Sequence, residues 1–176
     1  MTRIDYPTRL ETARLVLRPF DIGDAPRVFE IQSNWNVARM LRLLPWPATL
    51  ESTAAWLATH ESEWRSGTGY RFALWTGGRL IGCCDVDEIE ANEGELGYWL
   101  DEAAWGRGYA SEAAGAVVDF AFGPLGLSAL RSGCAADNPA SAHVLEKLGF
   151  KHMGDTEIWS NPRGEPIHQR AYRMSR

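Results

Sequence analysis

Residues 105–112 read Trp-Gly-Arg-Gly-Tyr-Ala-Ser-Glu, between a stretch with strand character and one with helix character. Gly106 and Gly108 let the backbone turn sharply and approach a ligand closely. The N–H groups of the first helical turn lack intrahelical acceptors, so with the positive helix end they face an anion. The helix end contributes roughly 0.3–1 kcal/mol when exposed and up to ~2 kcal/mol when partly buried. Arg107 adds a mobile cation. Such a set of donors suits a pyrophosphate. The same letters also describe a glycine-rich turn into an ordinary helix, and they match neither a P-loop nor a dinucleotide fingerprint. A second segment, Asn138-Pro139-Ala140-Ser141, opens another helix, with Asn138 as N-cap and Pro139 in the first helical position. A third feature is acidic. Residues 80–106 hold Asp85, Asp87, Glu88, Glu90, Glu93, Glu95, Asp101 and Glu102 and no Lys or Arg, and the net charge of −5 arises there. Carboxylates in that number supply candidate general bases and a field attractive to a cation.

The elements that must carry these residues follow from periodicity. Residues 14–18 alternate as a half-buried strand ended by Pro19. Residues 24–31 read as a short helix, and residues 33–47, with Trp35, Trp46 and two prolines, as a loop or short helical turns. Thr49 caps a helix to about Trp64, with Ala54, Leu57, Glu61 and Trp64 on one stripe. Gly77-Gly78 joins strands 71–75 and 80–86 in a two-residue hairpin. Strand 95–100, helix 111–122, strand 130–135, the Asn138 helix closed by Gly149, and strands near 150–159 and 169–174 complete the chain. The order β α α β β β α β α β β predicts an α/β fold of the α+β type with a mixed, mainly antiparallel sheet. It lacks the regular alternation of a doubly wound nucleotide fold.

Length and composition bound the rest. The 176 residues fit one domain over 1–176, with 45% apolar and 23% charged residues, as in an ordinary globular protein. No apolar run is long enough to span a membrane, and charges in the first fifteen residues leave no signal-peptide core, so a cytoplasmic, membrane-free protein is expected. The net negative charge argues against direct nucleic-acid binding. Cys83, Cys84 and Cys134 read as buried thiols, and the scattered His60, His143, His152 and His168 make no metal site.

Taken together, Gly97-Tyr98-Trp99-Leu100, the Trp105–Ala113 segment, Asn138-x-x-Ser141 and Leu145-Glu-Lys-Leu-Gly-Phe150 resemble the GNAT superfamily of acyl-CoA N-acyltransferases. Leu10-Glu-Thr-Ala-Arg-Leu-Val-Leu-Arg-Pro-Phe20 is similar to its RimJ/RimL-like branch of ribosomal-protein N-acetyltransferases, and the resemblance runs from about residue 9 to 174. It implies a sheet splayed into a V, with acetyl-CoA as co-substrate and no metal. Transfer to a primary amine, on a protein N-terminus or a small molecule, would be direct, with no covalent enzyme intermediate. A homodimer is compatible with such families. The first loop position is Trp105 where the superfamily usually has Gln or Arg, so backbone N–H groups and Arg107 must do more.

The resemblance also implies roles. Trp99 and Leu100 offer main-chain groups to the pantetheine arm. Arg107, Gly108, Tyr109, Ala110 and Ser111 hold the pyrophosphate, and Asn138 contacts the arm. Ser141 is the candidate acid for the leaving thiolate. Glu95 is the first candidate base and a substrate contact, with Asp85, Asp87 or a bound water as alternatives. Trp35 and Trp46 are candidate acceptor walls, whereas Trp56 belongs in the core. The alternative from another class is a catalytically silent acyl-CoA-binding sensor or interaction domain.

Overall fold

The computed structural model describes residues 8–176. Two glycines with positive φ, Gly77 (55°) and Gly78 (76°), make the tight turn between β3 (Tyr70–Thr76) and β4 (Arg79–Glu90), because only there does the backbone twist match that of the strands. β4 runs four residues further than the sequence suggests. The residues between the expected strands 80–86 and 95–100 continue as strand up to Glu90, turn at Ala91 and Asn92, and enter β5 (Glu93–Leu100). Before the hairpin come β1 (Leu10–Glu11), β2 (Val16–Pro19), α1 (Ala25–Gln32), the single-turn α2 (Trp35–Ala38) and α3 (Leu50–Ser66). After β5 come α4 (Tyr109–Phe122), β6 (Ala129–Ala135), α5 (Pro139–Leu148), β7 (Lys151–Ser160) and β8 (Glu165–Ser175).

The eight strands form one sheet in the order β1-β2-β3-β4-β5-β6-β8-β7. Every pairing is antiparallel except β5 with β6, which are joined by the α4 crossover, as a parallel pair requires. That pairing lasts three rungs: Glu93 with Ala129, Gly94 with Leu130, and Glu95 with Arg131. Beyond them the strands part into the expected V. At the apex Ser132 Oγ donates to the Leu96 carbonyl at 2.8 Å, replacing the next rung.

Alternation divides the sheet into two faces. Phe72, Leu74, Val86, Leu96 and Leu100 pack beneath Val117, Phe120 and Ala121 of α4. Ala73 and Leu80 face the other way, against Val28 and Ile31 of α1, with Trp56 and Trp99 at the margin. The buried side of α3 runs through Thr53, Leu57 and His60, not through Ala54 and Glu61 as the stripe suggested. The helix is rotated so that Trp56, His60 and Phe20 interlock edge to face, with centroids 4.4–5.8 Å apart. No helix among the described residues is long and apolar enough to cross a membrane.

Candidate active site

Gly106 (φ 71°) and Gly108 (φ 79°) both take the left-handed conformation that a side chain resists. Gly108 is the N-cap of α4 and supplies no side-chain cap. The N–H groups of Tyr109, Ala110 and Ser111 are therefore not consumed by a capping side chain, as an anion-binding turn needs. Trp105 anchors the loop: its Nε1–H donates to the Leu100 carbonyl at 3.0 Å, tying the turn to the end of β5. A second brace comes from the N-terminal segment. Arg14 donates to the Arg107 carbonyl at 2.8 Å, pairs with Glu112 at 2.7 Å and lies 4.6 Å over the Tyr109 ring. Thr12 Oγ1 also donates to Glu112, at 2.6 Å. Burial works against ionisation of Glu112, but the bonds from Thr12 and Arg14 outweigh it and hold this carboxyl below its usual range. Arg107 itself is exposed, and its guanidinium makes no ion pair among the described residues.

Along β5 the odd residues turn their backbone toward β4. A Cβ on Gly82 would lie 2.2 Å from the Trp99 carbonyl oxygen, and Asp101 N–H bonds the Ile81 carbonyl. The even residues face the V, where Ser132 and Trp105 take the Leu96 and Leu100 carbonyls. The remaining V-facing groups, the Tyr98 peptide and the Leu100 N–H, have no strand opposite them, whereas Trp99, expected to offer its main chain here, turns it toward β4 opposite Cys83. A pantetheine amide fits such unpaired edges.

Ser141 lies across the V from β5. Its N–H donates to Asn138 Oδ1 at 3.2 Å, so Asn138 is the N-cap, and its amide nitrogen has no hydrogen-bond partner among the described residues. The Tyr98 hydroxyl is 3.1 Å from the Ser141 carbonyl and 2.8 Å from Ser141 Oγ. Burial raises the Tyr98 phenol above its ordinary pKa, the bond to Ser141 opposing, so it acts as a neutral hydrogen-bonding group. Nothing in the sequence marks Tyr98 as Ser141's partner beyond its place in the 97–100 motif.

Glu95 is on the opposite face of the sheet, beside its register partners Asp87 and Arg131. Of the three carboxylates considered as bases, Asp85 and Asp87 are both bound by Arg71, at 3.0 and 2.7 Å, and Arg71 also holds Glu63 at 2.8 Å. Gly97 makes room for Asp85, since a Cβ there would meet its Oδ1 at 2.6 Å. Glu95 makes no hydrogen bond or ion pair among the described residues. Burial raises its carboxyl, the Glu88 and Asp87 charges adding and Arg131 and Arg42 opposing. It lines a cavity of about 290 Å³ together with Arg131, Gly133, Met153, Gln169 and Arg173. Trp35 and Trp46 lie 5.1 Å apart and partly exposed, while Trp56 sits in the aromatic cluster with His60 and Phe20.

A clasp joins three segments around Asp137. Asp137 receives Arg163 through two bonds of 2.9 Å and Arg39 through one of 2.6 Å. Arg163 also donates to the Arg39 carbonyl, and Asn161 bonds the carbonyls of Arg42 and Leu43. The β7–β8 turn is thus tied to the segment after α2, and both are tied to the residue before Asn138.

Comparisons with known proteins agree with this geometry. Residues 14–151 match the family described as the acetyltransferase (GNAT) domain. The chain is 29% identical over 167 residues to the N-acetyltransferase YoaA of Bacillus subtilis (strain 168), covering 93% of this chain and 94% of that protein. RimL, a ribosomal L7/L12 alpha-N-protein acetyltransferase solved in complex with coenzyme A, superposes with a TM-score of 0.83 at 21% identity over 97% of each chain. The microcin C7 self-immunity acetyltransferase MccE, solved with acetyl-CoA and AMP, gives a TM-score of 0.83 at 16% identity, again over 97% of each chain. With its family matched over most of its length and its fold shared with RimL, the chain belongs to the GNAT acetyltransferases and is an acyl-CoA-dependent N-acetyltransferase.

Proposed function

We propose that this enzyme moves an acetyl group from acetyl-CoA to a primary amine by direct attack within a ternary complex. The observation that carries this reading is the V itself. The uncapped α4 start and the Tyr98–Ser141 pair line one side, and Glu95, alone among the three candidate carboxylates in having no partner, lies on the other. When bound, acetyl-CoA supplies a thioester carbonyl and a thiolate leaving group.

The protein's part follows in order. The N–H groups of Tyr109, Ala110 and Ser111, with Arg107, take the pyrophosphate. The Tyr98 and Leu100 peptide groups hold the arm along the V, and the spare Asn138 amide supports it from α5. Glu95 accepts a proton from the incoming ammonium, directly or through one water, and its raised pKa places it nearer that task than an ordinary carboxylate. A backbone N–H facing the carbonyl oxygen stabilises developing negative charge, a contribution typically of ~2.7–4 kcal/mol for one well-placed donor. The Ser141 hydroxyl, oriented by Tyr98, gives its proton as the C–S bond breaks and is reprotonated from solvent. Holding both reactants in one cleft supplies the advantage of proximity.

The test is acetyl-CoA-dependent thiol release with a panel of peptides and small amines, read also by the mass of the acceptor. The expected result is thiol release that requires an amine and matches acetyl gain on it. Tight acetyl-CoA binding with no transfer to any amine would favour a silent sensor domain.

A further inference from the structure

Glu95 and Arg131 are register partners on the last rung of the parallel β5–β6 pair. Directly paired residues leave the same face of a sheet from strands about 4.8 Å apart. A carboxylate and a guanidinium so placed would normally neutralise each other, and these two do not. Glu95 has no ion pair among the described residues, and the nearest carboxylate to Arg131 is Glu88, at a loose 3.8 Å with both side chains about half exposed. Both line the same cavity beside the apex of the V. The other charges there are committed. Arg173 holds Glu93 through bonds of 2.8 and 2.5 Å, and Asp85 and Asp87 hold Arg71. Gln169 is neutral. Arg42, on the segment clasped across this side, adds a second positive field at Glu95 and has no ion pair of its own.

An acceptor with two positive charges would therefore find Glu95 and then an arginine that Glu88 holds only loosely. An acceptor with one positive and one negative charge would satisfy both open groups. We propose that the acceptor is a small zwitterion, a primary amine carrying an oxyanion a few bonds from the nitrogen, with the amine at Glu95 and the oxyanion at Arg131. The cavity of about 290 Å³ lies at the small end of ligand pockets, roughly 300–1,000 Å³, and suits a group the size of an amino acid. That group is either a free amino acid or the first residues of an acidic peptide. The inference rests on the acetyl-transfer reading above. In the transfer the ammonium gives one proton to Glu95, the N–C bond forms, the nitrogen passes its second proton to water as the C–S bond breaks, Ser141 protonates the thiolate, and the oxyanion is a spectator.

The experiment measures kcat/KM at saturating acetyl-CoA for matched acceptors: a free amino acid against its carboxamide, a dipeptide with Asp second against its Asn counterpart, and spermidine. In each pair the anionic member is expected to be better by tenfold or more, and the pair with the larger ratio identifies the source of the oxyanion. The ratio, rather than the absolute rate, is the readout for variants. Arg131→Gln is expected to bring it within about twofold of one, and Arg131→Lys to keep most of it, which separates loss of charge from loss of fold. Equal use of neutral partners, spermidine as best acceptor, or an unchanged ratio in Arg131→Gln would overturn the zwitterion while leaving acetyl transfer standing. Acetyl-CoA binding without transfer to any acceptor would remove the transfer reading and this inference with it.

Discussion

Glu95 and His60 are both withdrawn from water, with opposite consequences. Desolvation disfavours the charged form, so the Glu95 carboxyl rises toward neutrality while the His60 imidazole falls to about 4, with the Arg71 charge adding to its fall. His60 is 3% exposed, and neither ring nitrogen has a hydrogen-bond partner. Its folded pKa lies below its unfolded value, so the unfolded chain binds the extra proton between about pH 6.5 and 4, and stability falls as pH falls through that window. For one such group, the loss between pH 7 and 5 is about 2 kcal/mol. His60→Phe keeps a ring against Trp56 and Phe20 and removes the proton site, so urea unfolding at pH 7 and pH 5 should show a smaller difference than in the parent by about that amount. An identical pH dependence in the variant would mean that His60 is not the group being titrated.

At the scale of elements, local signals were legible and distant ones were not. Gly77-Gly78, the Gly106/Gly108 turn and the Asn138 cap act within a few residues, so their letters specify their geometry. Arg14 braces the Gly106/Gly108 turn from 93 residues away, Tyr98 meets Ser141 across 43, and Arg39 and Arg163 reach Asp137 across 98 and 26. Such pairs are set by strand order, which no local pattern encodes. The stripe on α3 failed for a related reason: Thr53 and His60 are polar, yet packing on Phe20 and the sheet buries them. Asp137 shows what the clasp is for. Removing it leaves Arg39 and Arg163 facing each other and loosens the segment that carries Arg42, which then keeps the bonds from Asn161 and from Arg163 to the Arg39 carbonyl. Asp137→Ala is expected to raise the KM of the amine about tenfold or more through lost positioning, with a much smaller change for acetyl-CoA. Equal changes in the two constants would indicate instead that the variant disturbs Asn138 and the cofactor arm.

At the scale of the whole molecule, the concentrated acid has a different meaning from the one its sequence suggests. Eight acids in residues 80–106 imply a field that draws in a cationic amine. In the folded protein Asp85, Asp87, Glu93 and Asp101 pair closely with arginines, Glu102 accepts from Asn34 and Asn36, and Glu88 touches Arg131 only loosely, at 3.8 Å, while Glu90 and Glu95 have no ion pair among the described residues. Bases from other parts of the chain neutralise the block, so little of it projects as a field. Raising salt from about 0.05 to 0.5 M shortens the screening length several-fold, and amine KM is expected to change less than about threefold. A steep rise confined to the amine would restore the field.

At the last rung before the V opens lies Glu95, a carboxylate with no ion pair among the described residues, and it is the group on which the proposed mechanism depends most. The most direct test is the pH–rate profile of acetyl transfer, followed by the mass of the acetylated amine, for the parent enzyme and Glu95→Gln. The account predicts that kcat/KM for the amine falls on the acid side through a pKa above the ordinary carboxylate range. In Glu95→Gln that limb should disappear and the rate should drop by about 10²–10⁴-fold, with acetyl-CoA binding retained. A variant with the parent's profile and rate would contradict it.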